Sequence, residues 1–115
     1  MKQTNQSLNE EWKEINNFPE YKISNFGRLK RHKNSVVPIF LNSSGYYKTT
    51  LWKDDKHYIK TIHKLVALNW IQIPSINDNE LQIDHINRVR TDNRVINLRW
   101  VTQKENLKNR VFKAR

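Results

Sequence analysis

The sequence predicts an α+β fold: a hairpin-rich first part, one helix, and a closing strand–loop–strand–helix unit. Three observations carry that reading. The segment YYKTTLWKDDKHYIKTI, residues 46–62, sets β-branched and aromatic residues on both sides of Asp54-Asp55-Lys56, a hairpin and its turn. Ile62, Leu65, Val66 and Asn69 or Trp70 recur at helical spacing, which predicts a helix over Ile62–Ile71. Thr102-Gln103-Lys104-Glu105 matches a capping box, in which Thr accepts from the third helical N–H and Glu reaches back to the cap. A second helix is therefore expected from about Gln103 to Val111, with Asn106 in its second turn.

The other elements follow in chain order. Residues 9–23, NEEWKEINNFPEYKI, hold aromatics among polar residues and end on the turn signal Ser24-Asn25-Phe26-Gly27. A basic, strand-like run covers Arg28 to Lys33. Pro74 and Asn77-Asp78-Asn79 interrupt the chain after the first helix and predict a loop. Leu81-Gln82-Ile83 alternates and enters Asp84-His85 as a short strand, and Leu98-Arg99-Trp100-Val101 forms another. A polar, basic loop from Asn87 to Asn97 lies between them.

A length of 115 residues fits one domain, or two small modules sharing a modest core. With 37% hydrophobic residues and four Trp, wholesale disorder is excluded. Nothing approaches 18 consecutive apolar residues, so no membrane span is expected, and the start MKQTNQSLNEEW lacks the apolar stretch of a secretory signal. An intracellular, cytoplasmic protein is the expectation. The absence of cysteine excludes disulfides, thiol chemistry, iron–sulfur clusters and cysteine-ligated zinc, so any metal site must use His, Asp, Glu or Asn. The formal charge is +10, and it is uneven: residues 88–115 carry nine bases against two acids. With eight Arg and many Asn, that bias points to a polyanion, hence to nucleic acid, over a merely solvated surface.

The last third also resembles a known family. IDHINRVRTDNRVINLRWVTQKEN, residues 83–106, is similar to the core of HNH nucleases in the Asp-His variant of phage and intron homing endonucleases. IHKLVALNWI, residues 62–71, resembles the helix leading into that core, and EEWKEINNFPEYKISNFGRLKR, residues 10–31, resembles the modular DNA-binding element often fused ahead of it. The C-terminal match is specific: Asp-His, then Asn97 twelve residues on, then Asn106 nine further, with strand and helix signals in the matching order. The resemblance implies a ββα-metal (His-Me finger) nuclease core at residues 59–115, a modular DNA-binding region at residues 1–58, one divalent ion, and hydrolysis of a DNA phosphodiester. By position, Asp84 is the expected metal ligand and His85 the general base. Asn97 is the middle Asn that steadies the loop and the His, and Asn106, standing where the family name has a His, is the second metal ligand.

The residue types suit that chemistry on their own account. Phosphodiester hydrolysis needs a water deprotonated on one side of phosphorus and a leaving 3′-oxygen stabilised on the other. Neighbours on a strand point to opposite sides, so an Asp-His pair can divide the two tasks. Neutral imidazole accepts a proton near neutral pH. One carboxylate and one amide oxygen make a hard, weakly charged site suited to Mg²⁺ or Mn²⁺, with the scissile phosphate completing its shell.

Plainer readings stand beside these. An Asp-His pair alone is an ordinary surface ion pair, and only the company of Asn97 and Asn106 favours catalysis. Asn97 can close the loop through backbone hydrogen bonds whatever the function, while Asn93 and Asn87 read as turn residues. His63 reads as a packed or capping His over a phosphate contact, and His32 and His57 as surface residues. Trp12, Trp52, Trp70 and Trp100 read as packing, and Ile62, Leu65, Val66 and Leu68 as core. Arg88, Arg90, Arg94, Lys104, Lys108 and Arg110, flanking the expected phosphate site, are candidate DNA-backbone contacts over a merely solvated face. The resemblance of the modular element implies that Arg28, Lys30, Arg31 and Lys33 touch DNA as well, by backbone or by groove.

The expected function is a phage- or mobile-element-type, metal-dependent DNA endonuclease acting on double-stranded DNA in a bacterial cell, nicking as a monomer or cutting both strands as a homodimer. Only five residues follow Arg110, so the C-terminal helical DNA-binding extension of many relatives is not expected. The alternatives are a non-catalytic DNA-binding or regulatory protein that keeps the HNH fold, and an RNA-binding module, which fits the charge but not the nuclease constellation.

Overall fold

Local sequence decides most of the strands, and a computed structural model of the chain, describing residues 9–75, 81–102 and 105, shows how they assemble. Trp12–Ile15 (β1) and Phe18–Ser24 (β2) pair antiparallel across Asn16-Asn17, where Asn17 takes φ 72°, a left-handed value that Asn tolerates. Leu29–Arg31 (β3) and Ser35–Val36 (β4) extend the sheet in the order β1-β2-β3-β4. Alternation along β2 sends Tyr21 and Ile23 inward.

A second sheet follows, built from Phe40–Leu41 (β5), Tyr47–Lys53 (β6) and Lys56–Thr61 (β7). The β6–β7 turn is Asp54-Asp55 alone, at φ 54° and 65°, and Lys56 already pairs with Lys53. Two successive left-handed residues match the strand twist in a two-residue hairpin loop. Tyr21 Oη links the two sheets by accepting the Trp52 N–H at 2.9 Å, and the Phe18 ring meets the Tyr58 ring edge-on.

Ile62–Trp70 (α1) begins directly after β7 and buries Ile62, Leu65, Val66 and Ala67. Leu68, expected in the core, is 49% exposed, because two residues on from the fully buried Val66 the helix has turned its side chain away from the core. Asn69 ties α1 to the first sheet: its Nδ2 donates to Leu65 O at 2.7 Å and its Oδ1 accepts the Asn16 N–H at 2.9 Å. Trp70 Nε1 donates to Ile23 O, and Trp100 Nε1 to Ile71 O, both at 3.2 Å. Trp12, Trp70 and Trp100 are thus packing residues, as expected, whereas Trp52 is 49% exposed beside His57.

Gln82–His85 (β8) and Leu98–Val101 (β9) form a two-stranded antiparallel ribbon with Asp84 opposite Arg99 and His85 opposite Leu98. Both bonds of the capping box are made, Thr102 N–H to Glu105 Oε1 at 2.9 Å and Glu105 N–H to Thr102 Oγ1 at 3.1 Å, and Glu105 is helical. The rest of the predicted last helix and the Asn77-Asp78-Asn79 loop lie outside the described residues. One core gathers Ile15, Tyr21, Ile23, Leu29, Leu51, Ile62, Leu65, Val66 and Leu98 from all three sheets and the helix. Among the described residues no helix is long and apolar enough to cross a membrane.

Buried and exposed leucines of α1 should differ sharply in energy. Leu65→Ala is expected to lose about 2–5 kcal/mol in urea unfolding, the range for an emptied core site. Leu68→Ala should lose roughly 1 kcal/mol or less. Equal losses at the two positions would contradict this packing.

Candidate active site

The end of β8 buries two polar side chains side by side, Asp84 at 5% exposure and His85 at 6%. Burying a carboxylate is costly unless it is paired. Asp84 is paired twice: Arg88 Nη1 donates to Oδ1 at 2.7 Å, and Arg99 Nε donates to Oδ2 at 2.9 Å from the facing position on β9. Arg88 reaches back because the chain reverses immediately after His85, with the Arg88 N–H on His85 O at 2.9 Å and Arg88 itself at φ 68°.

His85 has different neighbours. Its Nε2 lies 2.7 Å from Asn93 Oδ1, and its ring sits 5.2 Å from the His63 ring, edge-on, and 5.8 Å from that of Tyr46. Strand alternation thus separates the two candidate functions, Asp84 among guanidinium groups and His85 among rings and an amide. His63 is a packed residue, and Thr61 rather than His63 occupies the helix cap position. Burial first, then the neighbouring His85 and Lys64, holds its pKa down to about 4, and its Nδ1 has no hydrogen-bond partner.

The loop between the strands is closed by Asn97. Its Oδ1 accepts the Asn87 N–H at 2.9 Å, its Nδ2 donates to Asp92 O at 2.8 Å, and its own carbonyl accepts the Ile86 N–H at 2.8 Å. Asn97 therefore steadies the loop, while the amide that touches His85 belongs to Asn93, which the sequence offered only as a turn residue. Asn87 is a turn residue, accepting the Val89 N–H at 2.9 Å through its side chain. Asp92 is held down to about 2 chiefly by hydrogen bonds from Arg94, whose Nε and Nη2 each donate to it at 2.8 Å.

Arg28 is paired with Glu10, Arg31 with Glu20 at 3.2 Å, and Lys30 lies over the Trp12 ring at 4.1 Å. Arg90 donates to Ser44 O at 2.7 Å and lies over Tyr46. Lys33, His32 and His57 are exposed. Asn106, Lys104, Lys108 and Arg110 lie outside the described residues. A groove of about 390 Å³ between the two larger sheets, lined by Tyr21, Arg31, Val37, Pro38 and Trp52 among others, includes neither Asp84 nor His85. The contributions of Asn93, Arg99 and Tyr46 were missed in sequence; Arg99 alone had a signal, as an opposite charge facing Asp84 once the strand register is known.

As a donor set, a buried carboxylate oxygen suits a hard divalent cation. Among the described residues no three His, Asp or Glu side chains come together as a metal cage. Asp84 fits such an ion as one ligand among several, with a guanidinium to be displaced first.

His63 also gives stability a pH dependence. The unfolded imidazole, with a pKa of about 6.5, takes up a proton before the folded one, which waits until about 4. This contribution is complete above about pH 6.5 and is lost as pH falls toward 4. Urea midpoints measured from neutral pH down to about 4.5 should fall less steeply for His63→Phe than for the native chain.

Comparison with known proteins places these elements. Residues 74–108 match the HNH endonuclease family, and residues 10–63 match the NUMOD4 motif. The chain is 38% identical over 103 residues to "Uncharacterized HNH endonuclease L247" of Acanthamoeba polyphaga mimivirus, covering 87% of this chain and 26% of that protein. It is 31% identical over 106 residues to "DNA endonuclease I-HmuI" of Bacillus phage SP01, covering 90% of this chain and 59% of the relative. A solved structure of the HNH homing endonuclease I-HmuI, titled for DNA binding and cleavage, superposes with a TM-score of 0.80 at 30% identity, over 90% of this chain and 59% of that one. The chain therefore spans between about a quarter and three-fifths of the length of these relatives. It carries an HNH endonuclease domain behind a NUMOD4 motif and is a homologue of the phage homing endonuclease I-HmuI.

Proposed function

We propose that this chain is a divalent-metal-dependent DNA endonuclease in which His85 is the general base and Asp84 and Asn106 are the metal ligands. The observation that carries the reading is the buried Asp84-His85 pair at the end of β8, each side chain engaged by different partners. His85 takes a proton from the attacking water. Asp84, with Asn106, would hold Mg²⁺ or Mn²⁺, which would supply charge stabilisation to the leaving 3′-oxygen. Arg88 and Arg99, drawn off Asp84, are then available to the phosphate beside it. Asn97 keeps the loop closed around these groups.

In this reading residues 59–115 do the chemistry and residues 1–58 hold double-stranded DNA. Arg28, Lys30 and Arg31 from the first sheet, and Arg88, Arg90, Arg94, Lys104 and Lys108 from the last third, neutralise the backbone and position the duplex without reading its sequence. One such site serves one strand, so a monomer nicks and a homodimer cuts both. The relatives from phages fit a setting in the cytoplasm of an infected bacterial cell.

A supercoiled-plasmid assay with Mg²⁺, Mn²⁺ or EDTA tests the activity. The native chain should nick with metal, and His85→Ala should be slower by about 10²–10⁴-fold, the usual worth of a general base. Undiminished cleavage by the variant would remove His85 from the chemistry, and no cleavage with either metal would favour a DNA-binding protein that keeps the fold without the reaction.

The paired arginines predict weak metal binding without DNA. Calorimetric titration with Mn²⁺ should show tighter binding by the Arg88→Ala, Arg99→Ala double variant, by a factor on the order of 10 if the two ion pairs compete at about 0.5–1 kcal/mol each. A double variant that binds no better than the native chain would show that the pairs do not guard Asp84.

A further inference from the structure

The partner of His85 is itself held from outside the nuclease segment. Both Asn93 and His85 are buried, and an amide oxygen can only accept, so Asn93 Oδ1 at 2.7 Å requires the proton of neutral His85 to sit on Nε2. That leaves the lone pair on Nδ1, the nitrogen then available to accept a proton from water.

Behind Asn93 stands the Ser24-Asn25-Phe26-Gly27 turn, within the NUMOD4 match. Gly27 adopts φ +85°, and a Cβ built there would come within 2.9 Å of Asn93 Cβ and 3.0 Å of its carbonyl oxygen. Only a residue without a side chain lets the turn press this closely. The Asn25 carbonyl accepts the Val95 N–H at 2.9 Å, two residues beyond Asn93. The turn is itself rigidly bonded: Asn25 Oδ1 accepts the Glu11 N–H at 2.8 Å, and Ser24 Oγ accepts the N–H groups of Phe26 at 3.1 Å and Arg28 at 3.0 Å. Ser24 and Asn25 are buried, which a turn serving only as a surface link has no reason to be.

We propose that the Ser24–Gly27 turn sets the tautomer and orientation of His85 through Asn93, so that the N-terminal segment is a working part of the active site as well as a DNA-binding element. Asn93 and Gly27 are positioning residues. After His85 takes its proton at Nδ1, the Nε2–H still donates to Asn93 Oδ1, which also stabilises the imidazolium. The catalytic meaning rests on His85 being the general base, while the geometry does not.

The test reads the ring nitrogens of His85 in the ¹⁵N-labelled full chain, without DNA or metal, at neutral pH. The native chain should show the Nε2–H tautomer, and Asn93→Asp, which keeps an oxygen acceptor, should retain it. Asn93→Ala should give a mixture of tautomers, and so should Gly27→Ala. Gly27→Asn, better tolerated at positive φ but still bearing a Cβ, separates contact with Asn93 from backbone strain and should also give the mixture. In the nicking assay Asn93→Ala should lower kcat by about 10–100-fold with KM for DNA unchanged. A native His85 protonated on Nδ1, or a native-like tautomer in Asn93→Ala, overturns the proposal, and native-like signals in both Gly27 variants remove the turn from it. Because the tautomer is read in the free protein, its outcome is separate from whether the chain cleaves DNA.

Discussion

A ribbon of two four-residue strands has too little apolar surface to stand alone, yet β8 and β9 must keep a carboxylate and an imidazole out of water. The ribbon meets that demand by lending its apolar residues to a larger body. Leu98 enters the core formed by Ile15, Tyr21, Ile23 and Leu29 from the first sheet, Leu51 from the second and Ile62, Leu65 and Val66 from α1, while Ile83 packs against it. Trp100 fastens β9 to the end of α1 through Ile71 O, and Trp70 fastens α1 to β2 through Ile23 O. The site is thus held by contacts that cross from the first quarter of the chain to the last, and the burial of Asp84 and His85 depends on packing far from both.

Charge is managed at equally short range. A chain of formal charge +10 spends several of its acids on its own cations: Glu10 on Arg28, Glu20 on Arg31, Asp92 on Arg94 and Asp84 on two arginines. Exposed pairs of this kind are worth little in stability and are easily exchanged for another anion. Pairing therefore leaves these arginines exchangeable, and in the proposed function a DNA phosphate would only have to displace a single carboxylate in high dielectric. Asp84 is the exception. It is buried, so releasing it from both guanidinium groups leaves an unpaired charge that only another cation can satisfy.

Much of this was legible in the sequence where the determinant is local. Alternation located β6, β8 and β9, Asp54-Asp55-Lys56 located the hairpin turn to within one residue, the 62–65–66 spacing located α1, and Thr102-Glu105 formed the cap expected of it. Leu68 and Trp52 were misread because residue type says apolar but not which face the element turns to solvent. The site was legible only in part. Asp84 and His85 announced themselves as neighbours on a strand, but the partners that define their chemistry come from a register, Arg99, from a loop of Asn-rich sequence, Asn93, and from the segments around Tyr46 and His63. The motif spacing singles out Asn97, but no local pattern separates Asn93 from Asn87 in the same polar loop, and only tertiary contact sets Asn93 against His85.

The many Asn residues first suggested a nucleic-acid surface, and the structure gives several of them another role. Asn25 binds the chain at Glu11 and Asn9, Asn42 at Ser44 and Tyr46, Asn69 at Leu65 and Asn16, and Asn97 at Asn87 and Asp92. The amides of Asn25, Asn69 and Asn97 each donate and accept, that of Asn42 accepts twice through Oδ1, and all four carry no charge and keep their bonds at any physiological pH. A cysteine-free chain has neither disulfides nor cysteine-bound zinc with which to pin its loops. Neutral amides supply the pins without spending the positive charge that a polyanion partner needs. Asn93 extends the same device into the site, where the group being pinned is an imidazole instead of a loop backbone.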